Sequence, residues 1–154
     1  MASRICIPED EYKKRIAKAA DMIVQKGMDI MLVASTESDY ANARYFSGFW
    51  PLFERAGVAI SANGEAALLV GPESYPELHA DTFQEVFKSL GVKGQKIKIG
   101  LGSYVECTLP IYEGLKNAYP EAEISLCNDI MINLRKIKSK NELACIREGF
   151  RIIE

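Results

Sequence analysis

The sequence predicts an α/β fold, a mixed five- to six-stranded sheet with helices on both faces. Three observations carry that expectation. Asp29-Ile30-Met31-Leu32-Val33-Ala34 is an almost wholly apolar run fed by a helical pattern, as a central strand covered on both faces requires. Asn63-Gly64 lies between two apolar runs and marks a hairpin. Beyond the hairpin, helical and strand patterns alternate, which calls for crossover connections.

Each element has its own signal. Pro8-Glu9-Asp10-Glu11 places proline and acids at a helix start, where the dipole favours negative charge. Tyr12, Ile16, Ala19, Ala20 and Ile23 form its buried face, and Gly27 closes it. After the central strand, Ser35 to Tyr45 is polar and holds a helical turn or short helix. Ala56 to Ala62 and Glu65 to Gly71 form the hairpin, with both turn positions expected at positive φ. Asp81 to Leu90 is a helix with Phe83, Val86, Phe87 and Leu90 on one face. Lys96-Ile97-Lys98-Ile99 alternates as an outer strand would.

Thr108 to Tyr119 is a further helix with Pro110 in its first turn, and Glu123 to Cys127 a last strand. Asp129 to Leu134 reads as a helical turn. Ser139-Lys140-Asn141-Glu142 is a capping box that opens a final helix, along which Leu143, Ile146, Phe150 and Ile153 make an apolar stripe. Nothing closes that helix before Glu154, so the chain is expected to be the front part of a longer protein.

Composition narrows the function. The 154 residues suit one domain, and 19 Lys and Arg nearly balance 21 Asp and Glu. That balance leaves no footprint for nucleic acid or an anionic membrane, and neither is expected as a partner. No apolar run reaches membrane-spanning length, and Met1 to Ile7 lacks a signal core, so a cytoplasmic location is expected. Cys6, Cys107, Cys127 and Cys145 form no C-x-x-C pair and read as buried, reduced thiols.

Chemical motifs are sparse. His79 is the single histidine and has no second histidine or cysteine cluster with which to complete a zinc site. Gly100-Leu101-Gly102 lacks the third glycine of a dinucleotide fingerprint and reads as a tight turn after a strand. No catalytic or metal-ligating residue is assigned. What remains is Tyr45 to Arg55, with five aromatics in nine residues and an arginine at its end. Tyr45, Phe46 and Phe49 are expected to pack a corner of the core. Trp50, beside Pro51, suits a surface contact, and Arg55 offers a bidentate fork to a carboxylate or an ordinary ion pair.

Two segments resemble a known family. Arg135, Lys138, Ser139 and Glu142, within Leu134 to Leu143, resemble the R-x-x-K-S-x-x-E joint of the pita-bread metallopeptidases, which include prolidase, aminopeptidase P and creatinase. Asn42-Ala43-Arg44-Tyr45-Phe46-Ser47-Gly48-Phe49 resembles the N-x-x-Y-x-[ST]-G-F segment of their N-terminal domain. The resemblance implies a ribonuclease-H-like creatinase N-terminal domain over residues 1–134. Residues 135–154 would then be the joint and the first helix of a C-terminal catalytic domain.

In that family the catalytic half binds two divalent metals, manganese, cobalt or zinc, through two Asp, one His and two Glu. None of those ligands can be matched here, so no cofactor is assigned to this chain. The resemblance further implies a homodimer, with the N-terminal domain approaching a partner subunit's active site. Phe53-Glu54-Arg55 matches the Phe-x-Arg that contacts the substrate carboxylate in creatinase, which makes Phe53 and Arg55 candidate contacts for a peptide or small carboxylate, with Trp50 as a candidate wall of the same pocket. The alternative is an interaction domain of a catalytically inactive pseudo-peptidase.

Overall fold

In the computed structural model, residues 5–50, 55–70, 80–103 and 107–153 are described. The chain runs α1 (Glu9–Gln25), β1 (Ile30–Ser35), α2 (Ala41–Ser47), β2 (Ala56–Ser61), β3 (Ala66–Val70) and α3 (Ala80–Ser89). It continues through β4 (Lys98–Leu101), α4 (Leu109–Ala118), β5 (Glu123–Leu126), α5 (Asn128–Arg135) and α6 (Lys140–Ile153). The strands form one mixed sheet in the order β3-β2-β1-β4-β5. β1 pairs antiparallel with β2, and β2 with β3, whereas β1–β4 and β4–β5 are parallel. The expected α/β class and mixed sheet are therefore observed.

β1 is buried along its whole length, and its alternate residues feed two cores. Ile30, Leu32 and Ala34 face α3 and α4, where Phe83, Phe87, Ile111 and Leu115 are buried. Met31 and Val33 face α1, α2 and α5, against Ala19, Ile23, Phe46 and Ile130. Phe87 stacks on Tyr119 with ring centres 5.4 Å apart, and the Gln84 side chain donates to the Ala118 carbonyl at 2.9 Å. At the far end of β1 the Ser103 hydroxyl accepts from Ala34 N–H at 2.8 Å and donates to Ala34 C=O at 2.7 Å. One buried serine thus satisfies both backbone groups where the ladder stops.

Several local expectations are corrected. The 96–101 strand is interior, flanked by β1 and β5. Its lysines lie near its start, opposite Glu121 and Glu123, while Ile99, Gly100 and Leu101 are buried. Alternation there marks a solvated strand end and not a sheet edge. The hairpin turn is a three-residue loop, because Gly64 N–H donates to Ser61 C=O and Ser61 pairs with Glu65. Among the described residues only glycines have positive φ, so Gly64 at φ 91° carries the left-handed position and Asn63 does not. Asn63 instead uses its side chain: Oδ1 accepts from Glu65 N–H, and Nδ2 donates to Leu90 C=O at 2.9 Å, tying the hairpin to the end of α3.

Gly100 is not in a turn but within β4. A Cβ there would lie 2.5 Å from Met28 Sδ and 2.7 Å from Cys127 Sγ, so the glycine exists to admit two sulfur atoms. Residues 128–135 form a full helix, longer than the expected turn, with Ile130 and Met131 buried. Only Cys127 is fully buried; Cys6 is exposed, and Cys107 and Cys145 are partly exposed. Cys6 precedes α1, and Cys145 belongs to a helix that buries no residue.

Candidate functional site

β1 and β4 are parallel, so the segments leaving their carboxyl ends meet on one side of the sheet. α2 and the chain to Trp50 leave β1 there, α4 follows β4, and Arg55 stands directly before β2, whose Ala56 pairs with Ser35. Tyr40 and Arg44 are four residues apart and share one face of α2. Trp50 stacks on Tyr40 with ring centres 4.7 Å apart, and the Arg44 guanidinium lies 4.8 Å from the indole centre. Half of Trp50 remains exposed. The indole is therefore held by an aromatic ring and a cation while still presenting a surface.

Arg55 is exposed, and its Nη1 donates to the Thr108 hydroxyl at 2.7 Å. Thr108 is the N-cap residue of α4 but makes no side-chain cap bond, so its oxygen is spent on Arg55. The third candidate, Phe53, lies outside the described residues, as does His79. The other aromatics behave as expected. Phe46 is buried, and Tyr45 and Phe49 pack against the same core.

A second constellation joins α1 to the segment around Ser139. Arg15 is buried, and its Nη2 donates to Glu11 Oε1 at 2.6 Å and lies 3.6 Å from Glu142 Oε2. Its Nη1 donates to the Tyr45 carbonyl at 2.7 Å. Glu11 also accepts from Ser139 Oγ and from Asn141 Nδ2, each at 2.7 Å. Burial pushes the Glu11 carboxyl up, but the bonds from Ser139, Asn141 and Arg15 and the Arg15 charge outweigh it and hold it below its usual value. Ser139 and Glu142 meanwhile complete the expected capping box, with Glu142 N–H on Ser139 Oγ at 3.0 Å and Ser139 N–H on Glu142 Oε2 at 2.8 Å. Nearby, Arg135 Nη1 donates to Asn42 Oδ1 at 2.5 Å and the Tyr45 hydroxyl to Leu134 C=O at 3.1 Å. Burial raises the Tyr45 phenol, so it stays a neutral donor.

The two segments with family-like patterns, 42–49 and 134–143, are thus brought together in space. Arg15 and Glu11 were not singled out in the sequence. Their signal was available, since Arg15 interrupts the apolar face of α1 and stands four residues after an acid. A cleft of about 490 Å³ opens beside them, lined by Lys14, Lys18, Ile137 and Asn141 among others.

Among the described residues no three His, Cys, Asp or Glu side chains group as a metal site would need. No helix among them is long and apolar enough to cross a membrane.

The Creatinase/Prolidase N-terminal domain family matches residues 15–137. Solved structures share the fold. The prolidase from Pyrococcus horikoshii OT3 aligns with a TM-score of 0.65 at 20% identity, over 91% of this chain and 40% of that one. The Xaa-Pro dipeptidase from Bacillus anthracis gives 0.64 at 22%, over 89% and 39%. The N-terminal domain of the cytoplasmic peptidase PepQ from Mycobacterium tuberculosis H37Rv gives 0.57 at 20%, over 79% of this chain and 98% of that one. This chain thus spans about two-fifths of the longer relatives and nearly all of the shorter one. Comparison with curated protein sequences finds no significant match.

Proposed function

Because this chain belongs to the Creatinase/Prolidase N-terminal domain family, we propose that it is the non-catalytic N-terminal domain of an Xaa-Pro peptidase or creatinase-like hydrolase. The observation that carries the reading is the junction at residues 135–142, where the family match ends and a capped helix starts with no residue buried on the sheet domain. Leu143, Ile146, Phe150 and Ile153 on that helix are 38%, 44%, 67% and 83% exposed, a stripe suited to the catalytic domain of the same protein. That domain would carry the two divalent metals and the peptide-cleaving chemistry. The working protein is a cytoplasmic homodimer.

Within this role, Phe53 and Arg55 contact a substrate carboxylate at a partner subunit's active site, and Trp50 forms a wall of that pocket. Support comes from the setting of Trp50 and Arg55 at the carboxyl ends of β1 and β4, where open α/β sheets bind ligands. Arg55 reaches a neutral hydroxyl, which a carboxylate can displace with a stronger, charge-assisted pair.

Three experiments test the reading. The coding region beyond codon 154 should supply two Asp, one His and two Glu in the order of the metallopeptidases, and a stop codon there would overturn it. The purified chain should not cleave Xaa-Pro dipeptides with or without Mn²⁺; metal-stimulated hydrolysis would show that the chemistry lies here instead. Failure of Arg55→Ala to weaken substrate binding by the full-length protein would remove the carboxylate role alone.

A further inference from the structure

β3 is an edge strand, and the ladder on its inner side decides what its outer side presents. Ala62 N–H donates to Asp29 C=O on the β1 side of β2, and Ser61 N–H to Glu65 C=O on the β3 side, each at 2.9 Å. Backbone groups alternate along a strand, so Ala67 and Leu69 also turn theirs to β2, opposite Ala59 and Gly57. The N–H and C=O groups of Ala66, Leu68 and Val70 therefore point away from the sheet, and among the described residues no hydrogen bond reaches them. Their side chains share one face. Ala66 packs against the core beneath α1 and α2, Leu68 is 42% exposed and Val70 is partly exposed.

Nothing in its sequence guards this edge. Folded proteins blunt an exposed edge with lysine, proline, a bulge or a very short strand. Ala66-Ala67-Leu68-Leu69-Val70 has no charge and no proline, and its pairs with β2 run from Ala66 to Val70 without a bulge. The opposite edge differs: β5 has four residues and opens on Glu123, which lies 3.7 Å from Lys98 Nζ. The outer groups of β3 are also complementary to themselves. A two-fold axis through Leu68 sets Leu68 opposite its own copy and Ala66 opposite Val70 of the second copy. Each becomes a pair exchanging both backbone bonds, and no like charges meet. With the axis one residue to either side, one of the three outward residues has no partner within the strand.

We propose that β3 pairs antiparallel with β3 of a second copy about a two-fold axis through Leu68, joining the two sheets into one. Leu68 then packs on Leu68 of the second copy, with Ala66 and Val70 beside it on the same face. The pairing consumes the β3 edge of both chains, so the contact closes at two copies and does not propagate. The proposal rests on the homodimer reading above and adds the element that makes the contact. β3 lies within the matched residues 15–137, and the side-chain bonds described from α6 to the body run to α1 and not to β3.

The test uses the chain with Cys6, Cys107 and Cys145 replaced by serine and buried Cys127 kept. Light scattering over a concentration series should give this parent the mass of two chains. Leu68→Lys sets two ammonium groups against each other at the axis and should give the mass of one, with amide protection of β1 retained. Leu68→Cys should form an intermolecular disulfide on oxidation with copper phenanthroline, because the Cα atoms of a hydrogen-bonded pair stand about 5.5 Å apart. Glu65→Cys, exposed directly before β3, should not. Equal cross-linking at both positions would overturn the proposal. A Leu68→Lys protein that keeps the mass of two chains would overturn it too, while leaving the homodimer reading in place. A parent with the mass of one chain would also overturn it, and the homodimer reading is then decided by the mass of the full-length protein. Should Leu68→Lys lose protection in β1, the cross-linking pair decides.

Discussion

The Arg15 guanidinium lies 4.3 Å from the centre of the Tyr45 ring and donates a 2.7 Å hydrogen bond to the carbonyl of the same residue. One buried cation thus fixes both the backbone and the ring at the end of α2, and it does so from α1. Glu11 and Glu142 neutralise it from two sides. Replacing Arg15 would leave two mostly buried carboxylates facing each other without their cation.

Arg15→Met should therefore destabilise the chain by about 3 kcal/mol, the cost of removing one partner from a buried ion pair. Urea unfolding measures it. A loss near that of an exposed pair, such as Lys13→Ala at its contact with Glu9, would mean that the cluster is solvated and weak.

The same cluster makes stability depend on acid. The Glu11 carboxyl is held below its ordinary value, so its stabilising contribution is full above the unfolded-state value of about 4.3. That contribution fades as pH falls through the lower folded-state value, where Glu11 takes up a proton. Between pH about 5 and 2 the stability of the parent should drop more steeply than that of Glu11→Gln. Parallel curves in denaturant titrations would contradict this.

Phe87 is fully buried and stacks on Tyr119. Phe87→Ala should cost about 3–5 kcal/mol, combining lost transfer energy with the cavity between α3 and α4. Thermal unfolding reads the difference, and a change under 1 kcal/mol would show that the site collapses without penalty.

Gly100→Ala should destabilise by about 1–3 kcal/mol, because the new methyl meets sulfur atoms of Met28 and Cys127 inside contact distance. Pairing it with Cys127→Ala should recover part of the loss, since that removes one of the two obstructing atoms. Strict additivity in the double-mutant cycle would refute the steric explanation.

Burial first, then the nearby Asp129 charge, pushes the Cys127 thiol up to about 12. It should resist alkylation at pH 8 in the native state and react once the chain is unfolded. Exposed Cys6 supplies the internal control, reacting in both states. Native modification of Cys127 at the rate of Cys6 would show that the interior face of β4 opens to solvent.

The order of helices and strands, the hairpin and the capping box were legible because each rests on neighbours in sequence. Periodicity identified the buried faces, as with Phe83 and Phe87, for the same reason. Turn chemistry at Asn63-Gly64 was read one residue short. The choice between a two- and a three-residue loop depends on what Asn63 can reach, and it reaches Leu90, 27 residues away. The alternation at Lys96 to Ile99 was misplaced to an edge because pattern records exposure at a strand end without recording its neighbours. Trp50 and Arg55 were legible as residues, but their partners Tyr40, Arg44 and Thr108 were not.

By itself, then, the sequence determined the fold class, the two core faces and the helix that starts at Ser139, since short-range periodicity and capping encode these. Only the tertiary structure decided that Glu11 and Arg15, more than 120 residues earlier in the chain, hold that helix and meet the Tyr45 segment. A charged residue on an apolar helix face announces that it needs partners. Which partners it finds depends on how the chain closes in space, and no local pattern contains that.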